Sequence, residues 1–397
     1  MTSVTTLPLA DLTTMRVGGP ADVIDAGSET EIVDAALGLW ADDEEWMVLG
    51  GGSNTIAADD GFEGTVLRTV SRGIEVLPES TRTSSIPLVA HQDTARADRE
   101  RSPETPRVRI RVQAGHPWDE LVAETVANGW SGLEALSGIP GSTGASPIQN
   151  IGAYGQELAA SLVAVDFLDR FENAPRRLRA SELGLGYRTS VFKQGREGVV
   201  TAVEFELAAP GGDALSQPLG YSQLAHALGA KLGDRVPISV LREAVLDLRR
   251  GKGMVLDPAD PDSVSAGSFF TNPIVSERFA RTLPDEAPRW PTSLDEPDIV
   301  VPLGTVPPSR ASERAEKDEY RVKLSAAWLI EHSGITRGFR LTGSRAAIST
   351  KHTLALVNTG GATTTEILEL ARYVRAMVQV EFGVLLQPEP VIVGTSI

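Results

Sequence analysis

Hydrophobic and polar positions along the chain follow two periods, and several segments declare their element by them. From Arg107 to Ala114, Val108, Ile110 and Val112 alternate with Arg107, Arg109 and Arg111, the two-residue period of a half-buried strand. From Thr364 to Phe382, Ile367, Leu370, Ala371, Val374, Met377 and Val378 share one face of a helix that Gly383 ends. The same helical period predicts a helix over Ser239–Arg250, with Val240, Leu241, Ala244, Val245 and Leu248 inward. Its basic end, Arg249 and Arg250, is what the helix dipole favours. A further helix is predicted over Glu31–Leu39, capped by Ser28 or Thr30, and one over Asp119–Asn128, opened by His116-Pro117-Trp118 and closed at Gly129. Lys323–Glu331 also reads as helix. Short apolar runs predict strands at Asp22–Asp25, Trp46–Leu49, Thr65–Thr69, Gly73–Leu77, Val163–Asp169 and Val199–Leu207. Toward the C-terminus Gly338–Leu341, Ala347–Ser349, Leu354–Asn358 and Leu385–Val393 read the same way, whereas Ile56–Asp60 reads as loop and Arg281–Glu319 as an irregular excursion.

Two stretches fit neither period. Leu136–Gly155 holds Gly138, Gly141, Gly144, Gly152 and Gly155 among small residues, stiffened by Pro140 and Pro147. Glycine allows positive φ and close approach of a backbone, and successive free N–H groups in turns make anion-binding concavities. Such a run is either a surface loop or a cradle. The strand Trp46–Leu49 feeds a second cluster, Gly50-Gly51-Gly52-Ser53-Asn54, the layout of a phosphate cradle. Neither is a Gly-x-Gly-x-x-Gly opening a helix, and no Gly-Lys-Ser/Thr follows, so the dinucleotide and P-loop signatures are missing. Glu79–Pro106, dominated by Ser, Thr, Arg, Pro, Glu and Asp, reads as a flexible insertion between two strands.

Composition narrows the chemistry. A chain of 397 residues exceeds one ordinary core, so two or three domains are expected. The formal charge of −16 argues against nucleic-acid or anionic-membrane binding, though not against an anionic small ligand held by local cations. The absence of cysteine excludes disulfides, thiolate metal sites and cysteine nucleophiles. No histidine falls in a metal-ligand spacing, so no metal is assigned. The N-terminal residues show no secretory signal and no apolar run reaches bilayer length, which makes a cytoplasmic protein the expectation.

Six strings, in order, make the chain similar to the UDP-N-acetylenolpyruvoylglucosamine reductase (MurB) family of peptidoglycan synthesis. Arg16-Val17-Gly18-Gly19-Pro20-Ala21 resembles the family's opening. Leu49-Gly50-Gly51-Gly52-Ser53-Asn54 and Ile139-Pro140-Gly141 through Pro147-Ile148-Gln149-Asn150-Ile151-Gly152-Ala153-Tyr154-Gly155 resemble its two flavin loops. Tyr187-Arg188-Thr189-Ser190-Val191-Phe192-Lys193, Ala266-Gly267-Ser268-Phe269-Phe270-Thr271-Asn272-Pro273 and Gln387-Pro388-Glu389 resemble its catalytic segments.

The resemblance implies an α+β fold, a vanillyl-alcohol-oxidase-like FAD-binding domain followed by an α+β substrate-binding domain. It divides the chain into an FAD-binding domain at 1–210 with the insertion 79–106, a connecting segment at 211–250 carrying a tyrosine loop, and a substrate-binding domain at 251–397. It implies non-covalent FAD, NADPH as co-substrate, a sugar-nucleotide substrate and a monomer. The implied reaction is reduction of an enolpyruvyl ether to a lactyl ether, with FAD relaying the hydride. Hydride addition puts negative charge on the carbon beside the carboxylate, which calls for preorganised positive charge and donors. Arg188 is the implied cation, Glu389 a neutral acid or water holder, and Ser268 the proton donor to carbon. These three must converge over the flavin. Implied cofactor contacts are Gly50, Gly51, Gly52, Ser53, Asn54, Ile139, Pro140, Gly141, Ser142, Gly144, Ala145, Gln149, Asn150, Gly152, Ala153 and Tyr154. Tyr221, Lys252 and Asn272 are the implied substrate contacts.

The chain departs from the pattern after Glu389. Many family members carry a basic residue two places on, where this chain has Pro390-Val391, which leaves a flavin or substrate contact there open. Two rival readings stay in play: another flavin oxidase or dehydrogenase of the same fold, and a non-catalytic sugar-nucleotide binder. Covalent flavin attachment through Cys is excluded, and neither flavin loop contains His.

Overall fold

Two antiparallel strands and a helix open the chain, and the computed structural model describes residues 3–42, 44–78, 106–212, 214–292 and 321–397. Nearly all of the insertion expected at 79–106, and residues 293–319 of the excursion, lie outside the described residues. The chain falls into two units. One comprises Met1–Leu12, Pro20–Ser53 and Gly61–Asp257, the other Thr13–Gly19, Asn54–Asp60 and Pro258–Ile397.

The first unit holds two sheets. In one, Pro20–Ala26 pairs antiparallel with Val4–Pro8 and parallel with Thr65–Thr69, which in turn pairs parallel with Trp46–Leu49. The helix Glu29–Ala41 starts where Ser28 Oγ accepts from the Glu31 N–H (3.2 Å), so Ser28 and not Thr30 is the cap. It buries Ile32, Ala35, Ala36 and Leu39 against Ile24 and Leu67 of this sheet and Leu168 and Val199 of the next. The second sheet is antiparallel, in the order Ala174–Arg179, Leu162–Asp169, Gly198–Ala208, Arg107–Gln113, Ile74–Leu77. The alternation along Arg107–Gln113 sorts as expected: Ile110 and Val112 are buried. On the other side Arg107 pairs with Glu206 (2.5 Å) and Arg109 with Glu204 (3.1 Å), each diagonally across the ladder, two residues from its directly opposed partner. Helix Trp118–Ala127 covers the inner face, with the Trp118 ring edge-on to Phe205 at 6.1 Å.

In the second unit Thr364–Phe382 is a helix with the bounds the pattern predicts. Thr363 and Glu366 form a reciprocal capping box, and Gly383 ends it in the left-handed conformation (φ 68°). Its face of Ile367, Leu370, Ala371, Val374 and Val378 sits in a core with Phe269, Phe270, Leu329 and Leu356.

Several expectations need correction. Ile56–Asp60, read as loop, begins in a strand, Thr55–Ala57, parallel to Val391–Val393; three residues leave no periodic trace and the partner is remote in sequence. Lys323–Glu331 divides into a strand Arg321–Leu324 and a helix Ala326–His332, because Ser325 Oγ caps the helix at the Trp328 N–H. Gly338–Leu341 forms no strand, and Gly338, at φ 75°, sits in a turn. Within the excursion Arg289–Thr292 is a strand paired with Arg321–Leu324. The helix near residue 240 spans Ile238–Arg250 and turns the expected Leu241, Ala244, Val245 and Leu248 to the core, but Val240 is 50% exposed, and Leu246 and Arg249 are buried instead. Among the described residues no helix is long and apolar enough to cross a membrane.

Candidate active site

The two glycine clusters meet. Strand Trp46–Leu49 ends on buried Leu49 and delivers Gly50–Ser53 against Pro140–Ser142. A methyl group at Gly51 would stand 2.6 Å from Gly141 Cα, so that position excludes a side chain, and one at Gly50 would force the Ser142 hydroxyl to move. Ser53 Oγ donates to the Pro140 carbonyl at 3.0 Å. From beneath, the second loop is pinned to the end of a core strand: Thr143 N–H donates to the His116 carbonyl (2.8 Å), Gly144 N–H to Ala114 (2.8 Å) and Trp118 N–H to Gly141 (3.0 Å). Trp118 Nε1 reaches the Leu136 carbonyl at 3.0 Å.

A cleft of about 490 Å³ opens over these loops, lined by Gly50, Gly51, Pro140, Gly141 and Ser142. Ser142 Oγ is buried and has no hydrogen-bond partner among the described residues. An orphaned hydroxyl beside side-chain-free backbone fits the polar part of a dinucleotide cofactor. Val70, Arg72 and Gly115 also line the cleft and were not singled out from sequence. The available signal was Gly115, at the end of the alternating strand, where a Cβ would press on the backbone of Val70 and Ser71. Asp119 lies at the cleft too. Burial opposes its charge, but hydrogen bonds from Arg242 (2.7 and 2.9 Å) and the Gly138 N–H hold its carboxyl below the usual range.

Arg188 sits on a turn closed between Gly186 and Thr189, at φ 54°. Its guanidinium is held by the second glycine loop, Nη2 donating to the Gly152 carbonyl at 2.8 Å and Nη1 to the Asn150 carbonyl at 3.4 Å. The Tyr187 ring centre lies 5.5 Å from it.

Tyr221 and Lys252, two substrate candidates, meet on Tyr154. The rings of Tyr154 and Tyr221 stand edge to face at 5.6 Å, and Lys252 Nζ lies 5.4 Å from the Tyr154 ring centre while donating to Gln223 Oε1 at 3.0 Å. Burial pushes the Tyr154 hydroxyl up and the Lys252 ammonium down, the latter with help from Arg249. Arg249, expected at a helix end for the dipole alone, is buried; its Nη2 donates to the Met254 carbonyl at 2.8 Å, and burial pushes its own guanidinium down.

In the second unit Ser268 and Glu389 come from segments that pair side by side. Thr271 N–H donates to the Gln387 carbonyl (3.0 Å) and Glu389 N–H to the Phe269 carbonyl (2.8 Å). The buried Phe269 and Phe270 rings, 5.0 Å apart, anchor that pairing in the core. Asn54, the last residue of the first glycine string, parts from its neighbours here: its Nδ2 donates to the Glu389 carbonyl (3.3 Å) and its own carbonyl accepts from Val391 N–H (2.8 Å). Val391, at the position that is often basic, is 54% exposed on the strand beside Thr55. Asn272 commits its amide oxygen to the Ala326 N–H at 2.9 Å. Arg188 belongs to the first unit, Ser268 and Glu389 to the second.

Two packed glycine loops on an α+β unit define the class as an FAD-binding protein, and a family model described as "FAD binding domain" matches residues 93–170. The model of the C-terminal domain of UDP-N-acetylenolpyruvoylglucosamine reductase matches residues 258–393. The chain is 54% identical over 402 aligned residues to UDP-N-acetylenolpyruvoylglucosamine reductase of Leifsonia xyli subsp. xyli, covering 98% of each chain. It is 45% identical to that of Thermobifida fusca, again over 98% of each. The crystal structure of UDP-N-acetylenolpyruvylglucosamine reductase (MurB) from Thermus caldophilus superposes with a TM-score of 0.59 at 24% identity, over 99% of this chain and 100% of that one, which shows the fold. The chain belongs to the UDP-N-acetylenolpyruvoylglucosamine reductase family.

Proposed function

We infer that this chain reduces the enolpyruvyl ether of UDP-N-acetylglucosamine to the lactyl ether, giving UDP-N-acetylmuramate for peptidoglycan, with NADPH as reductant and FAD as cofactor. The observation that carries the reading is the backbone contact of Gly51 with Gly141 under the cleft, in a chain of this family. FAD, when bound, supplies the hydride relay between NADPH and the terminal enolpyruvyl carbon. Gly50–Ser53 and, in the second loop, Ile139–Gln149 and Gly152–Tyr154 would hold it, with Ser142 Oγ as a donor.

The chain's own residues handle charge and protons. Arg188 is assigned the negative charge that develops on the substrate's carboxylate, since a planar, permanent cation suits that group. Glu389 assists as a neutral acid or through a water. Ser268 gives its hydroxyl proton to the carbon beside the carboxylate, forming the C–H bond, and its alkoxide is reprotonated from solvent. Tyr221, Lys252 and Asn272 are assigned to the substrate, Lys252 to its diphosphate. Residues 1–210 are the cofactor part, 211–250 the tyrosine-loop segment and 251–397 the substrate part. A monomer acting in the cytoplasm completes the reading.

An anaerobic experiment tests it. NADPH should bleach the flavin of the purified protein, and the enolpyruvyl sugar nucleotide should restore the colour. A fully flavinated sample that bleaches but is not reoxidised would point to an oxidase or dehydrogenase of another substrate. A protein that never holds flavin would point to a binding protein.

A further inference from the structure

Asn150 stands in the glycine loop, yet its side chain is used up inside the protein. It is 1% exposed. Its Oδ1 accepts from the Ala159 N–H at 3.1 Å, and its Nδ2 donates to Glu157 Oε2 at 3.1 Å and to the Gly186 carbonyl at 3.2 Å. An amide has two N–H donors, and both are engaged, which leaves neither for a cofactor. Gly186 closes the turn that carries Arg188. The carbonyl of Asn150 itself accepts from Arg188 Nη1, beside the shorter bond from Nη2 to Gly152. Asn150 therefore holds that turn at both ends, its backbone base and its guanidinium head.

Backbone conformation adds to the case. Asn150 (φ 46°) and Arg188 (φ 54°) are both left-handed. Asn tolerates that region, whereas a long side chain such as Arg is disfavoured there. An arginine kept there needs its turn held from outside. The bonds that do so are Asn150 Nδ2 to Gly186 and Ser190 Oγ to the Ile148 carbonyl (2.5 Å).

We propose that Asn150 is a positioning residue for Arg188: its side-chain amide fixes the Gly186–Thr189 turn, and with it the direction of the guanidinium, rather than contacting the cofactor. The proposal rests on the assignment of Arg188 as the cation that meets the substrate's carboxylate.

The test uses the full-length, FAD-loaded enzyme. Asn150→Gly keeps the backbone conformation and removes the amide. Asn150→Asp keeps the shape and the acceptor for Ala159, but sets oxygen against the Gly186 carbonyl. Flavin content, flavin reduction by NADPH, and reoxidation by the enolpyruvyl sugar nucleotide are measured for each variant, alone and with Arg188→Ala. Both variants should retain FAD and slow reoxidation on the order of 10- to 10²-fold, the scale of a misplaced catalytic group. In the Arg188→Ala background Asn150→Gly should cost less than about 2-fold more, because residues that act through one another are not additive. The Asn150→Asp rate, relative to wild type at the same pH, should recover as pH falls, starting above the ordinary carboxylate range because burial and the Glu157 carboxylate both favour the protonated acid, which regains a donor. Arg188→Ala with normal reoxidation would remove the assignment of Arg188 itself. A slow Arg188→Ala accompanied by a normal Asn150→Gly, by losses that multiply, by FAD loss alone, or by a flat Asn150→Asp pH ratio overturns the positioning role.

Discussion

The side-chain amide of Asn54 donates to the backbone carbonyl of Glu389 at 3.3 Å, across 335 positions of sequence. The end of a glycine string thus secures the segment that carries a carboxylate assigned to the chemistry. Asn54→Ala should cost about 0.5–1.5 kcal/mol, the worth of one such bond, and slow substrate reoxidation of the flavin on the order of 10-fold. Thermal unfolding and stopped-flow absorbance read both. Unchanged reoxidation would confine Asn54 to stability.

Ser268→Ala removes the hydroxyl assigned as proton donor, on a segment held by buried Phe269 and Phe270. Flavin reduction by NADPH should survive, and reoxidation by substrate should slow on the order of 10²-fold or more. Near-normal reoxidation would take Ser268 out of the proton path.

Two glycines should respond in opposite directions. Gly51→Ala forces the backbone of Gly141 aside, so flavin content should fall and stability drop by about 1–3 kcal/mol. Gly38, inside helix Glu29–Ala41, has no atom within 4 Å of an added methyl; Gly38→Ala should gain up to about 1 kcal/mol with flavin unchanged. Flavin-to-protein absorbance ratios and denaturant melts on the pair decide it. Equal flavin retention by both would detach the Gly51 contact from cofactor binding.

His116 should make the fold acid-sensitive. Both ring nitrogens are buried with no hydrogen-bond partner among the described residues. Burial pushes its imidazole below the ordinary value, opposed by Glu120 and Glu124 and aided by Arg72. The unfolded chain therefore takes up the proton first, near pH ~6.5. This contribution is complete above that pH and is lost as pH falls toward the folded value. Asp119 and Asp262 are shifted down as well, so theirs fade only below about pH 4. Between about pH 6.5 and 5, denaturant melts of wild type should lose more stability than those of His116→Phe. Parallel losses would assign the acid sensitivity elsewhere.

Legibility in the sequence tracked how local each cause was. Helix Thr364–Phe382 was readable to its ends because cap, apolar stripe and terminal glycine all lie within its own sequence. The strands Val4–Pro8 and Ala174–Arg179 were not singled out: each lies at a sheet edge, and Ala-Pro-Arg-Arg-Leu-Arg carries no alternation. The helix Ile238–Arg250 was found with most of its inner face, but not its buried Arg249, because a charged residue looks like surface until its place beside Tyr154 and Asp119 is seen. At the site, the strings themselves were plain. That Lys252 and Tyr221 meet on Tyr154, that Asn272 spends its oxygen on a helix end, and that Asn54 leaves its loop for Glu389 were not, since each depends on a partner remote in sequence.

The parallel pairing of Thr55–Ala57 with Val391–Val393 also has a temporal side. A ribosome makes the first of these strands well before its partner. Across the 335 positions from Asn54 to Glu389, synthesis at about 5–20 residues per second takes roughly 20 to 70 s. During that interval Thr55–Ala57 lacks this partner, so the second unit closes only after Val391–Val393 has been translated.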